Sequence, residues 1–111
     1  MRLRGWLALV ALLWCLPGWA ADYYIKITNN TGYEIYYVYV SPQSSDEWEE
    51  DVLGADILAD GETLRVTLEG YDSPYFDVKL VDEDGDSYTF MGVNVARRDL
   101  TVTLDDLDWG Y

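Results

Sequence analysis

Two stretches alternate core-type residues with mostly polar ones. Leu64, Val66 and Leu68 interleave with Thr63, Arg65, Thr67 and Glu69, and Phe76, Val78 and Leu80 interleave with Tyr75, Asp77, Lys79 and Val81. A period of two turns one set of side chains to a core and the other to solvent, so each stretch reads as a half-buried strand. Residues 23–28 and 33–40 are denser runs of β-branched and aromatic residues, which favour strands. Between them Asn29-Asn30-Thr31-Gly32 tolerates positive φ, so these two runs are expected to form a hairpin. The second run is apolar on both faces and is stopped by Ser41-Pro42, which predicts a strand in the middle of a sheet.

Further along, Asp60-Gly61 marks a turn, residues 70–74 a loop and Asp82-Glu83-Asp84-Gly85-Asp86 a hairpin connection with Asp84-Gly85 in the type I′ position. Its partner strand spans 87–95, interrupted at Gly92 by a bulge, and a last strand spans 100–104. Ser44 with Glu47 three residues on has capping-box spacing, and acids crowd the following positions, which predicts one short helical turn ending by Gly54. Trp48 would pin that segment to the sheet. The acidic tail 105–111 is expected to fray. Six to seven short strands with one helical turn argue a small antiparallel β-sandwich, with a small open barrel as the alternative.

The first twenty residues follow another rule. Arg2 and Arg4 precede an apolar run over 5–16, and Pro17-Gly18-Trp19-Ala20 supplies small residues where a signal peptidase reads them. The run is short of the ~20 residues that span a bilayer. Residues 1–20 are therefore expected to be a secretory signal peptide cleaved after Ala20, taking Cys15 with it and leaving a single domain over 21–111 in the periplasm or outside the cell. No transmembrane segment is expected after cleavage.

Charge narrows the chemistry. Seven basic against 21 acidic residues give a net charge of −14, and losing Arg2 and Arg4 makes the remainder more negative still. Such a surface repels phosphate backbones, so nucleic acid is not an expected partner. The chain has no histidine and one cysteine, which removes the usual general base, zinc ligands and thiol chemistry. The reading is non-enzymatic. A carboxylate-dependent enzyme would need two acids with separated pKa values in one pocket, and no pair stands out.

Among the acids, Asp82, Asp84 and Asp86 are the candidate metal ligands, because alternate aspartates in a loop can turn several hard oxygens to one calcium ion. The same five residues also make a good metal-free hairpin turn, and the spacing is not that of an EF-hand. Asp46, Asp51, Asp60 and Asp72 lie in other loops that a sandwich could bring to the same end. Among the aromatic residues, Tyr36, Trp48, Tyr71 and Tyr75 are the candidate ligand contacts, since exposed rings stack on sugars or form protein-binding patches. Alternation puts Tyr33, Tyr37 and Tyr39 on one strand face and Tyr36 on the other. The expected partner is a protein or carbohydrate, with an acidic inhibitor or decoy of a basic protein as an alternative, and the chain is expected to be a monomer or an edge-paired dimer.

Asn29-Asn30-Thr31-Gly32-Tyr33, Tyr37-Val38-Tyr39-Val40-Ser41-Pro42, Trp48, Leu53-Gly54 and Asp84-Gly85-Asp86 together resemble a family of small exported bacterial proteins. The resemblance covers nearly all of 21–111 and implies export without implying an activity. Some members carry an argininosuccinate lyase label, but that enzyme is a large helical oligomer and resembles nothing in this chain, so the label is rejected. The resemblance further implies a pair of cysteines near positions occupied here by Pro74 and Ala96. A protein without that link would forgo about 2–4 kcal/mol.

Overall fold

The computed structural model describes residues 21–108; the expected signal peptide with Cys15, and residues 109–111, lie outside them. The described residues form six strands: β1 (Ala21–Asn29), β2 (Ile35–Pro42), β3 (Thr63–Tyr71), β4 (Tyr75–Asp82), β5 (Ser87–Asn94) and β6 (Leu100–Val102), followed by a 3-10 turn at Leu104–Asp106. They make two three-stranded sheets, in the order β3-β1-β6 and β2-β4-β5. The architecture is the expected all-β sandwich. One pairing departs from the antiparallel pattern, since β1 and β6 run parallel, Ile27 opposite Leu100.

The alternations read from sequence set the layers. Ile25 and Ile27 of β1, Val66 and Leu68 of β3, and Phe76, Val78 and Leu80 of β4 meet in one core between the sheets, all buried. Burying a side chain of this size contributes about 1.5–3 kcal/mol. Tyr88 is wholly buried among them and is the largest fully buried residue among those described.

The expected hairpin between the first two strands does not form. β1 pairs with β3 and β6, whereas β2 pairs with β4 in the other sheet. The buried side chain of Asn29 accounts for the crossing. Its Oδ1 accepts from the Thr31 N–H and hydroxyl, and its Nδ2 donates to the carbonyls of Tyr33 and Leu58. Its own N–H and carbonyl bond to Glu62 and Gly61. The turn residues thus arch the chain from one sheet to the other instead of folding it back in the same ladder.

Nor is β2 central: β4 is, and β2 lies at an edge. Its apolar character on both faces has two causes. A bulge at Tyr36, between the Ile35–Asp82 and Tyr37–Val81 pairs, turns both Tyr36 and Tyr37 outward. The segment after it then covers the outer edge, where Ile35 and Leu58 exchange backbone bonds of 2.9 and 3.0 Å and Asp51 bridges to Tyr39.

The helical turn expected after Ser44 is absent. The Ser45 hydroxyl donates to the Glu47 carbonyl, Glu49 N–H donates to the Ser41 hydroxyl, and the chain runs extended to give its Val52 N–H to Val38. Pairing with an open strand edge wins over a nucleus of one turn, which is unfavourable alone. The helical turn among the described residues lies at Leu104–Asp106, where Thr103 and Asp106 form a reciprocal capping box. The tail expected to fray is docked as far as Asp108. Leu107 bridges to Tyr88, and the Asp108 carboxylate accepts from the hydroxyls of Ser87 at 2.7 Å and Thr89 at 2.6 Å. The bulge expected at Gly92 is present, with φ +63° and its N–H donated to the buried Asp77. Pro74 accepts from the Val95 N–H, so Pro74 and Ala96 stand at adjoining ends of neighbouring strands.

Candidate metal and ligand sites

The β4–β5 hairpin carries the three candidate metal ligands. Asp82 closes β4, its N–H bonded to the Asp86 carbonyl and its carbonyl accepting from Gly85, which has φ +85°. The connection therefore spans three residues, 83–85, with glycine in the left-handed position that follows the turn. This differs from the two-residue type I′ arrangement expected, in which Asp84 would also need positive φ. One oxygen from each of Asp82, Asp84 and Asp86 falls within 4.8 Å of the others.

The three acids are not equivalent. Asp82 continues the inward alternation of Phe76, Val78 and Leu80, and is 3% exposed. Its Oδ1 accepts from the N–H groups of Asp84 and Asp86 at 2.9 and 3.0 Å, and its Oδ2 from the Tyr88 hydroxyl at 2.8 Å. Burial, and after it this hydrogen bond to Asp82, push the Tyr88 hydroxyl well above the ordinary tyrosine value. Three donors occupy most of the four or so acceptor positions of a carboxylate, leaving room for about one more contact. Asp84 is exposed and its side chain carries no hydrogen bond among the described residues. Glu83 is turned away, its Oε2 accepting from the Glu34 N–H at 2.8 Å. The donor set is all oxygen, the ligand type that suits a hard cation such as calcium.

The other loop acids divide between the two ends. Asp60, bonded to the Gly32 N–H, follows Leu58, which pairs with Ile35 beside Asp82. Asp72 lies at the start of β4, the opposite end. The Asp51 carboxylate is consumed by the N–H groups of Val38, Leu53 and Gly54.

Three of the four aromatic candidates gather at that opposite end. Trp48 and Tyr71 line an open groove of about 680 Å³ between β2 and β3, flanked by Glu49 and Glu50. Tyr71 and Tyr75 line an adjoining hollow of about 250 Å³ with Ser44 and Asp72. Tyr71 is fixed edge-on against the core residue Phe76, ring centroids 5.0 Å apart. Trp48 leans on Tyr39 at 6.4 Å, and Tyr39 in turn stacks on Tyr37 at 6.3 Å. Tyr36 is apart from this group, at the bulge beside Asp82 and Val81. At about 3.3 Å per residue, Tyr75 and Asp82 are roughly 23 Å apart along β4, so the metal candidates and the aromatic group cannot touch one small ligand.

A third site was not anticipated. Asp22, Tyr23 and Tyr24 of β1 and residues 95–99 enclose a cleft of about 420 Å³ with Arg97 and Arg98 on its wall. Only the strand pairing places these residues side by side, although the Arg97-Arg98 doublet stands out in so acidic a chain. Among the described residues, no helix is long and apolar enough to cross a membrane. Comparison of the chain with family models, curated proteins and solved structures finds no match.

Proposed function

We propose that the protein is an exported, non-enzymatic β-sandwich binding module that takes calcium at the β4–β5 hairpin. The observation that carries this reading is the convergence of the Asp82, Asp84 and Asp86 carboxylates within 4.8 Å on a turn held rigid from beneath by Tyr88. Three acids so close repel one another, and a divalent cation relieves that repulsion most directly. Because Asp82 already serves the backbone, the ion has few protein ligands, and its dissociation constant falls on the order of 10⁻⁴–10⁻³ M, the range of extracellular calcium modules.

The test is thermal unfolding of the purified protein in chelator, in calcium and in magnesium at matched ionic strength. Calcium at a hundredfold excess over its dissociation constant stabilises by about 2.7 kcal/mol. Asp84→Asn removes the calcium response and is at least as stable as the parent in chelator, since one of three repelling charges is gone and its carboxylate bonds to nothing else among the described residues. Equal responses to calcium, magnesium and monovalent salt would overturn the reading. A second reading, contact with a carbohydrate, is favoured by the groove in which Trp48 and Tyr71 stand beside Glu49 and Glu50, rings to stack on a sugar and carboxylates to accept from its hydroxyls.

A further inference from the structure

Five lysines and arginines occur among the described residues, and Lys79 on β4 is the one outside the β3-β1-β6 sheet and its flanking loop. Lys26 and Arg65 stand opposite each other on β1 and β3, and the Arg65 guanidinium lies over the Tyr24 ring at 4.0 Å from its centroid. Arg97 and Arg98 follow on the loop before β6. Four of the five described cations thus belong to this sheet or to the loop before β6, and Arg97 and Arg98 line the cleft together with Asp22 and Asp99.

The reason for the cleft is the short length of β6. It pairs with β1 only from Ile27 to Asn29, so among the described residues the earlier half of β1 has no neighbouring strand on that side. The loop 95–99 runs there instead, and Asp99 fills the first vacant pairing position by accepting the Lys26 N–H at 2.9 Å. By the alternation of an antiparallel ladder, Tyr24 presents its N–H to the same side, towards the cleft. The two acids on the cleft rim are already engaged with backbone, Asp99 with Lys26 and Asp22 with the Gly70 N–H. Arg97 and Arg98 form no ion pair among the described residues, and they bond only through their own N–H groups to the Asn94 carbonyl.

We propose that this cleft binds a small organic carboxylate, its oxygens between the Arg97 and Arg98 guanidiniums and its apolar or planar body against Tyr24, Tyr23 and Val95. Guanidinium groups match carboxylates in bidentate geometry, and the volume suits a ligand of ten or so heavy atoms. A monoanion is favoured over phosphate because the Asp22 and Asp99 carboxylates on the rim repel a second charge. The site lies at the end of the sandwich remote from the β4–β5 hairpin, and does not depend on the calcium reading.

Benzoate is the probe, titrated into the purified protein by calorimetry and by observation of ring resonances, beside benzamide, the neutral analogue of the same shape, and inorganic phosphate. Saturable benzoate binding, at least tenfold tighter than benzamide and phosphate, shifts the Tyr24 ring signals and weakens as salt is raised. The double variant Arg97→Gln/Arg98→Gln, both exposed and bonded only through the backbone, folds as the parent does and loses at least tenfold in affinity. Tyr24→Leu, which leaves both arginines in place, weakens benzoate binding while its salt dependence persists. Benzamide binding equal to benzoate, phosphate binding equal or tighter, or a double variant that binds like the parent would each overturn the proposal. The calcium response of the double variant is unchanged.

Discussion

At the residue scale, the buried Asp82 shows how an acid that reads as a metal ligand also serves the fold. It collects two backbone N–H groups and the Tyr88 hydroxyl, and all three donors would be orphaned by its removal. Asp82→Ala is therefore expected to destabilise by about 3 kcal/mol, and Asp82→Asn, which keeps an acceptor, by about 1 kcal/mol, measured by urea unfolding. Tyr88 adds a pH dependence whose sign is fixed by its raised folded pKa. Below about pH 10 the hydroxyl is protonated in both states; above it the unfolded chain ionises first and stability falls with rising pH. Denaturant midpoints between pH 8 and 11 should show that fall, and Tyr88→Phe should flatten the part that Tyr88 contributes. Burial of Asp82 was legible in the alternation that runs through Phe76, Val78 and Leu80. Burial of Asp77 was not, because it alternates with the core residues Phe76 and Val78 and is covered only where the Gly92 bulge in the facing strand brings a backbone N–H onto its carboxylate.

At the element scale, strand positions followed from local pattern, but strand partners did not. Residues 23–28 and 33–40 read as a hairpin because Asn, Thr and Gly serve a tight turn and an arch between sheets equally well. What decides is a contact between Asn29 and the Leu58 carbonyl, 29 residues away, which no local pattern encodes. Asn29→Ala should accordingly cost more than an exposed substitution in the same turn, about 2–4 kcal/mol in chemical unfolding, because it leaves buried donors and acceptors on both sides of the crossing unpaired. Gly92→Ala should cost about 1–2 kcal/mol, since its φ of +63° is unfavourable for a residue with a Cβ, and that atom would stand 3.0 Å from Gln43 Nε2. The capping box of Thr103 and Asp106 was as readable as the one expected at Ser44. The outcome differed because the segment after Ser44 had a strand edge to join, whereas Leu104 to Asp106 lead directly to a docking point on β5.

At the scale of the whole molecule, carboxylates order much of the irregular backbone among the described residues. Asp22, Asp51, Asp60, Asp77, Asp82 and Asp99 each accept backbone N–H groups at bulges, turns or open strand edges. A carboxylate placed this way fixes irregular backbone without a cation, so a chain with five described bases can still order its loops. The cost is long-range repulsion among the excess negative charges. Monovalent salt should relieve it: raising sodium chloride from 10 to 500 mM shrinks the screening length from about 30 Å to a few Å. A gain of about 1 kcal/mol would raise the unfolding midpoint by roughly 4–8 °C for a domain of this size. The rise should be smooth, the same for sodium and potassium, and retained in Asp84→Asn, whereas the calcium increment is lost there. A midpoint that stays flat across the salt series would mean that backbone donors already balance the acids locally, and the residual charge of the hairpin would then be too small to favour a divalent ion.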